Sequence, residues 1–179
     1  MIDTYGTTAE IIHMGFAGVA TSVLAPALVV LARNVRRPWN PDRFAVPAAV
    51  AWPLFVAAHT AIMIPMGVGD PPVAADLGLH AVLMACAVLF WLPVLGLRRR
   101  LSDPGRMLYL FLAAPVLDLA GVWIVAEGNS AGGLAMIVGM LPLGVAAVAT
   151  TWRWIAREER ETGPGPRGAG VMFGSGEQG

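Results

Sequence analysis

FVAAHTAIMIPMGVGDPPVAADLGLHAVLMACAVLFWLPVLG, residues 55–96, holds two apolar runs with one histidine each, joined by an acidic, proline-containing loop that carries no positive charge. A membrane span needs about 20 apolar residues to cross about 30 Å of hydrocarbon, and both runs approach that length. As membrane helices joined by so short a loop they form a hairpin, with His59 and His80 toward one membrane face.

The rest of the chain supports a membrane reading. Of its 179 residues 56% are apolar and only 13% charged, where an ordinary soluble domain has about a quarter charged. Outward from the hairpin, five segments qualify as spans: about 11–32, 44–66, 76–97, 107–126 and 131–154. Pro26, Pro53, Pro93, Pro115 and Pro142 lie inside them and are expected to kink the helices, because neighbouring helices can satisfy the freed carbonyls. The fold class is therefore an all-α, polytopic membrane bundle in one domain, residues 1–161. Residues 162–179, ending GPGPRGAGVMFGSGEQG, have the composition of a disordered cytoplasmic tail.

Charge sets the expected orientation. There is no lysine, and all twelve arginines fall on one side: Arg33, Arg36, Arg37 and Arg43; Arg98, Arg99, Arg100 and Arg106; Arg153, Arg157, Arg160 and Arg167. The other side carries Asp3, Glu10, Asp70, Asp76 and Glu127 with no basic residue. The positive-inside rule makes this an N-out, C-in protein. The first run has no positive segment before it and no small-residue cleavage site, so it reads as an uncleaved helix. Trp152 and Trp154 beside Arg153 mark the inner interface. Gly132, Gly133, Gly139 and Gly144 on the fifth span are candidates for close helix approach.

Four ionisable groups lie within the spans: His13, His59, His80 and Asp118. At 1.5 Å per residue they sit about 5, 12, 6 and 14 Å below the outer ends of their helices, all in the outer half. Such residues are expensive in a membrane and mark function by default. Met63 and Met66 share the helical face of His59, and Met84 that of His80. Imidazole with thioether suits copper(I). Blander readings stand beside this one. Methionine fills gaps in packing, a lone membrane histidine bonds a neighbouring carbonyl, and two of the three histidines on separate helices could ligate a b-type haem. Asp118 would serve as an acid that orients a histidine. The single Cys86 excludes an internal disulfide. No phosphate loop, nucleophile elbow or zinc-protease motif is present. Topology and lipid contact account for the arginines, so nucleic acid is not an expected partner.

The runs LHAVLMACAVLFWLPVLG (79–96), RLSDPGRMLYLFLAAPVLDLAG (100–121), GGLAMIVGMLPLG (132–144) with WRWIAREERE (152–161), and IIHMGFAGVATSVLAPALVVL (11–31) resemble the CtaG-type membrane assembly factors of cytochrome c oxidase. The resemblance covers about residues 10–161. It implies a bacterial inner-membrane protein that assists copper insertion into a haem-copper oxidase, a binding and transfer role with no catalysis. It carries over to His13, His59 and His80. Met63 and Met84 are added as ligands on chemical grounds, with Asp118 behind them. The chain departs from the pattern in having five spans where the family has about seven, Ala17 where a second histidine follows His13-Met14, Met84 in the second place of the His80 pair, and Gly128-Asn129 before the double glycine. An accessory subunit of a respiratory or other membrane complex, without metal, is the alternative these departures leave open.

Overall fold

The computed structural model describes residues 4–34, 46–69, 72–96 and 100–162, with side chains from residue 8 onward. These residues form helices and no strand. The first span comprises α1 (Thr4–Val19), a five-residue π-helical segment (Ala20–Leu24) and α2 (Ala25–Asn34). Four further spans follow: α3 (Ala48–Val68), α4 (Val73–Leu95), α5 (Asp103–Ala126) and α6 (Ser130–Thr162). All five are long and apolar enough to cross a membrane, in agreement with the sequence reading. The tail 163–179 and the arginines at 36, 37, 43, 98, 99 and 167 lie outside the described residues.

Helix limits differ from the sequence expectation where local capping chemistry was overlooked. α4 begins at Val73, three residues early, because Pro72 accepts the first turn's amides: Ala75 N–H and Asp76 N–H donate to its carbonyl at 2.8 and 3.0 Å. α5 begins at Asp103 because Ser102 caps it, its hydroxyl oxygen accepting from Gly105 N–H at 3.3 Å, with a proline in the first turn. α6 runs eight residues past 154, since nothing in Ile155–Thr162 breaks a helix. At 33 residues it is about 50 Å long, roughly 20 Å more than the hydrocarbon is thick.

Pro26 acts upstream of itself. A proline ring clashes with the carbonyl four residues back, and the π-helical turn absorbs that misfit: Ala25 N–H reaches Ala20 O. The Thr21 carbonyl it leaves accepts from Trp91 Nε1 at 2.9 Å, and Ser22 Oγ donates to Gly139 O at 2.7 Å. Thr21 Oγ1 lies within reach of Ala17 O, Gly18 O and Met140 Sδ. The irregular turn is thus tied to both α4 and α6.

Glycines set which helices touch. A Cβ on Gly139 would lie 2.7 Å from Gly15 O, and one on Gly18 would lie 2.9 Å from Gly139 Cα, so α1 and α6 meet backbone to backbone. Gly121 and Gly133 do the same for α5 and α6. Gly144 corrects the expectation: it faces open space. Below the π segment the first span leaves α6 and α2 packs on α4. α3 packs on α4 and α5, around an aromatic core in which Phe90 stacks on Tyr109 and meets Phe55 at a tilt of 39°, each 4.8 Å between ring centroids. The last residues of α3, the start of α4 and the turn between α5 and α6 share an end with the start of α1. Arg33, Arg100, Arg106, Arg153 and Arg157 mark the opposite, arginine end.

Candidate metal centre

Where α1 diverges from α4, side chains bridge the gap. His13 comes from α1; Asp76 and His80 come from α4, four residues apart and therefore on one helical face. His13 Nε2 lies 3.2 Å from Asp76 Oδ1, and His80 Nδ1 lies 3.4 Å from the same oxygen. One ligand atom from each of the three residues lies within 4.8 Å of the others. The imidazole rings of His13 and His80 are 4.9 Å apart, tilted by 49°.

Three features suit this cluster to a cation. First, His80 Nδ1 sits 2.9 Å from the Asp76 carbonyl. Donation of its N–H there sets the tautomer and leaves Nε2 with a free lone pair, the arrangement typical of metal-bound imidazole. Second, His13 Nε2, His80 Nε2 and Asp76 Oδ1 are shielded from solvent and none has a hydrogen-bond partner outside the cluster; such groups are costly unless something satisfies them. Third, the 3.2 Å between His13 Nε2 and Asp76 Oδ1 matches the roughly 3.3 Å between ligands on a tetrahedral ion with bonds of about 2.0–2.1 Å; His80 joins them through Nε2, since its Nδ1 is held by the Asp76 carbonyl. The side chains retain between 19% and 37% of their exposure, so an ion can reach them from outside the bundle.

The structure brings together two of the three histidines expected from the sequence. His59, 1% exposed, lies in the apolar core beside Phe55, 5.8 Å between rings, with Nδ1 unpartnered. It is not part of the three-residue cluster. Met63 is fully buried in the hydrophobic core, and Met84 is partly buried one turn beyond His80. Asp118, on α5, has a buried and unpartnered Oδ1, but the carboxylate beside the histidines is Asp76. Sequence reasoning placed Asp76 at the first residue of its span and treated it as a loop acid. The sign that would have found it is Pro72: a helix that starts just after this proline carries Asp76 in its first turn and aligns it with His80 one turn later.

Compared with models of known families, with characterised proteins and with solved structures, the chain matches none.

Proposed function

We propose that the protein is a multi-pass membrane metal-binding protein that holds one transition-metal ion through His13, Asp76 and His80 and releases it to an acceptor in or at the membrane. The observation that carries this reading is the convergence, from two helices, of three shielded polar atoms with no partner outside the cluster. The arginine distribution supports an extracytoplasmic position for the cluster; a bacterial inner membrane is the setting that the resemblance implies. The resemblance to CtaG-type assembly factors supports copper as the cargo and a haem-copper oxidase subunit as the acceptor. Two imidazoles and a carboxylate suit copper(II) or zinc(II) better than copper(I). Met84, one turn further along the same face of α4, is the thioether available to a softer ion. Three protein ligands leave a four-coordinate ion one open position, through which an acceptor's ligand can enter before His13 or His80 lets go. This is carriage, with no bond made or broken in a substrate.

Titration of the purified protein with copper(I), copper(II) and zinc(II) tests the proposal. One equivalent should bind, and His13→Ala or His80→Ala should weaken binding at least tenfold, the lower end of what loss of even an orienting partner costs. His59→Ala should leave affinity within twofold. Equal affinity in wild type and in the His13→Ala, His80→Ala double variant would sink the site.

A second reading rests on the same distances. At 3.2 Å the His13–Asp76 pair is itself of hydrogen-bond length, so a shared proton could tie α1 to α4 in an accessory subunit that carries no metal. Metal-free protein isolated as a stoichiometric member of a complex, with His13→Ala lowering its thermal stability, would select that reading.

A further inference from the structure

At the arginine end, the first turns of α3 and α5 border an open groove of about 480 Å³, the size of an ordinary small-molecule pocket. Trp52 and Pro53 form one wall, and Leu101, Leu108, Tyr109 and Leu112 the other. The groove follows α5 from its first turn to Leu112, about 13 Å, close to the hydrocarbon depth of one leaflet, half of about 30 Å. At the far end of the same helix pair Gly67 brings α3 against Ile124, so the crevice is closed at that end.

Its polar features lie at the mouth. Trp52 Nε1 is shielded and has no acceptor, although a buried indole N–H ordinarily finds one. The Tyr109 hydroxyl is already committed to Phe90 O at 3.0 Å. Arg106, beside the groove residue Gly105, is 9% exposed; it pairs with Asp103, yet its Nε is unpartnered. Arg157 from α6 shares that same carboxylate. Arg100 precedes Leu101 and, like Arg157, is near enough to repel Arg106. Arg106 and Arg157 thus share one carboxylate, Arg100 adds a third positive charge nearby, and among the described residues no second acid pairs with any of the three. With three guanidinium groups to one carboxylate and two unpartnered N–H donors, the mouth calls for further negative charge and acceptors, and the apolar walls behind it call for hydrocarbon.

We infer that this groove is a binding site for one anionic phospholipid from the leaflet on the arginine side. An acyl chain packs along Trp52, Pro53, Leu108 and Leu112. The phosphate group lies at Arg100 and Arg106, and the indole N–H of Trp52 donates to a phosphate or ester oxygen. A diacyl phospholipid with a net negative headgroup meets all three requirements at once, whereas a zwitterionic lipid meets only the apolar one in full.

Native mass spectrometry of the full-length protein, released from mild detergent after titration with phosphatidylglycerol or phosphatidylcholine of identical chains, tests this. One phosphatidylglycerol should be retained with a preference of roughly fivefold for each arginine engaged. Arg100→Gln, at an exposed position outside the Asp103 ion pairs, should reduce the preference by about that factor and leave phosphatidylcholine retention unchanged. Leu112→Trp, which fills the groove, should abolish retention of the single tight lipid without altering the histidine cluster. Equal retention of the two lipids would overturn the inference, as would a preference that survives both variants.

Discussion

At the scale of single residues, the protein places its few intramembrane polar groups in two kinds of surroundings. Some are satisfied within the bundle. Trp91 Nε1 donates to the Thr21 carbonyl that the π-helical turn leaves unpaired, so Trp91→Phe should destabilise by about 0.6 kcal/mol and at most about 1.7, the range measured for interhelical side-chain bonds in membranes. Thermal unfolding in detergent would show it. Others are left unsatisfied together, and His13, Asp76 and His80 are the case that matters. Asp76→Asn keeps the size of the side chain but removes its charge, so it should lower metal affinity about tenfold or more while leaving the fold intact; calorimetric titration with parallel circular dichroism checks both halves. Because these ligands must shed protons to hold a cation, the affinity should also fall on acidification. A flat pH response would mean that other groups hold the ion.

At the scale of helices, glycine positions outweigh intrinsic propensity. Alanine is the better helix former by about 1 kcal/mol, so a glycine with room around it gains from replacement. Gly144 faces open space, and Gly144→Ala should be neutral or slightly stabilising. At Gly139 the added methyl would lie 2.7 Å from the Gly15 carbonyl and 3.1 Å from Gly18 Cα. There the helices must part, and Gly139→Ala should cost about 1–3 kcal/mol, as overpacking does. Opposite signs for the same substitution five residues apart, read from unfolding curves, test the packing of α1 on α6. Since α1 carries His13, the Gly139 variant should also loosen the metal centre.

At the scale of the whole molecule, the bundle has a histidine end and an arginine end, and function depends on which faces the cytoplasm. The positive-inside rule predicts that reporters fused near residues 40 and 98 are active only as cytoplasmic fusions, and those near 70 and 128 only as exported ones. The reverse pattern would place the cluster in the cytoplasm and remove the oxidase-assembly setting. The number of spans and the identity of the residues sharing each end were legible in the sequence, because apolar length and alternation of charge are properties of successive segments and need no knowledge of packing. His13 and His80 were legible as candidates by the same route, since depth along a helix follows from counting residues. Their partner was not. Which faces meet depends on how each helix is rotated and tilted, and that was decided by the contacts of Gly15, Gly18 and Gly139, by the π-helical turn above Pro26, and by the start of α4 at Pro72. Those contacts joined His13 to Asp76 and His80, left His59 among Phe55 and Met63, and kept Asp118 apart. Sequence alone determined how many helices are long and apolar enough to cross a membrane and which residues share each end; the tertiary structure alone decided which polar groups meet, because azimuth is set by packing between helices distant in the chain.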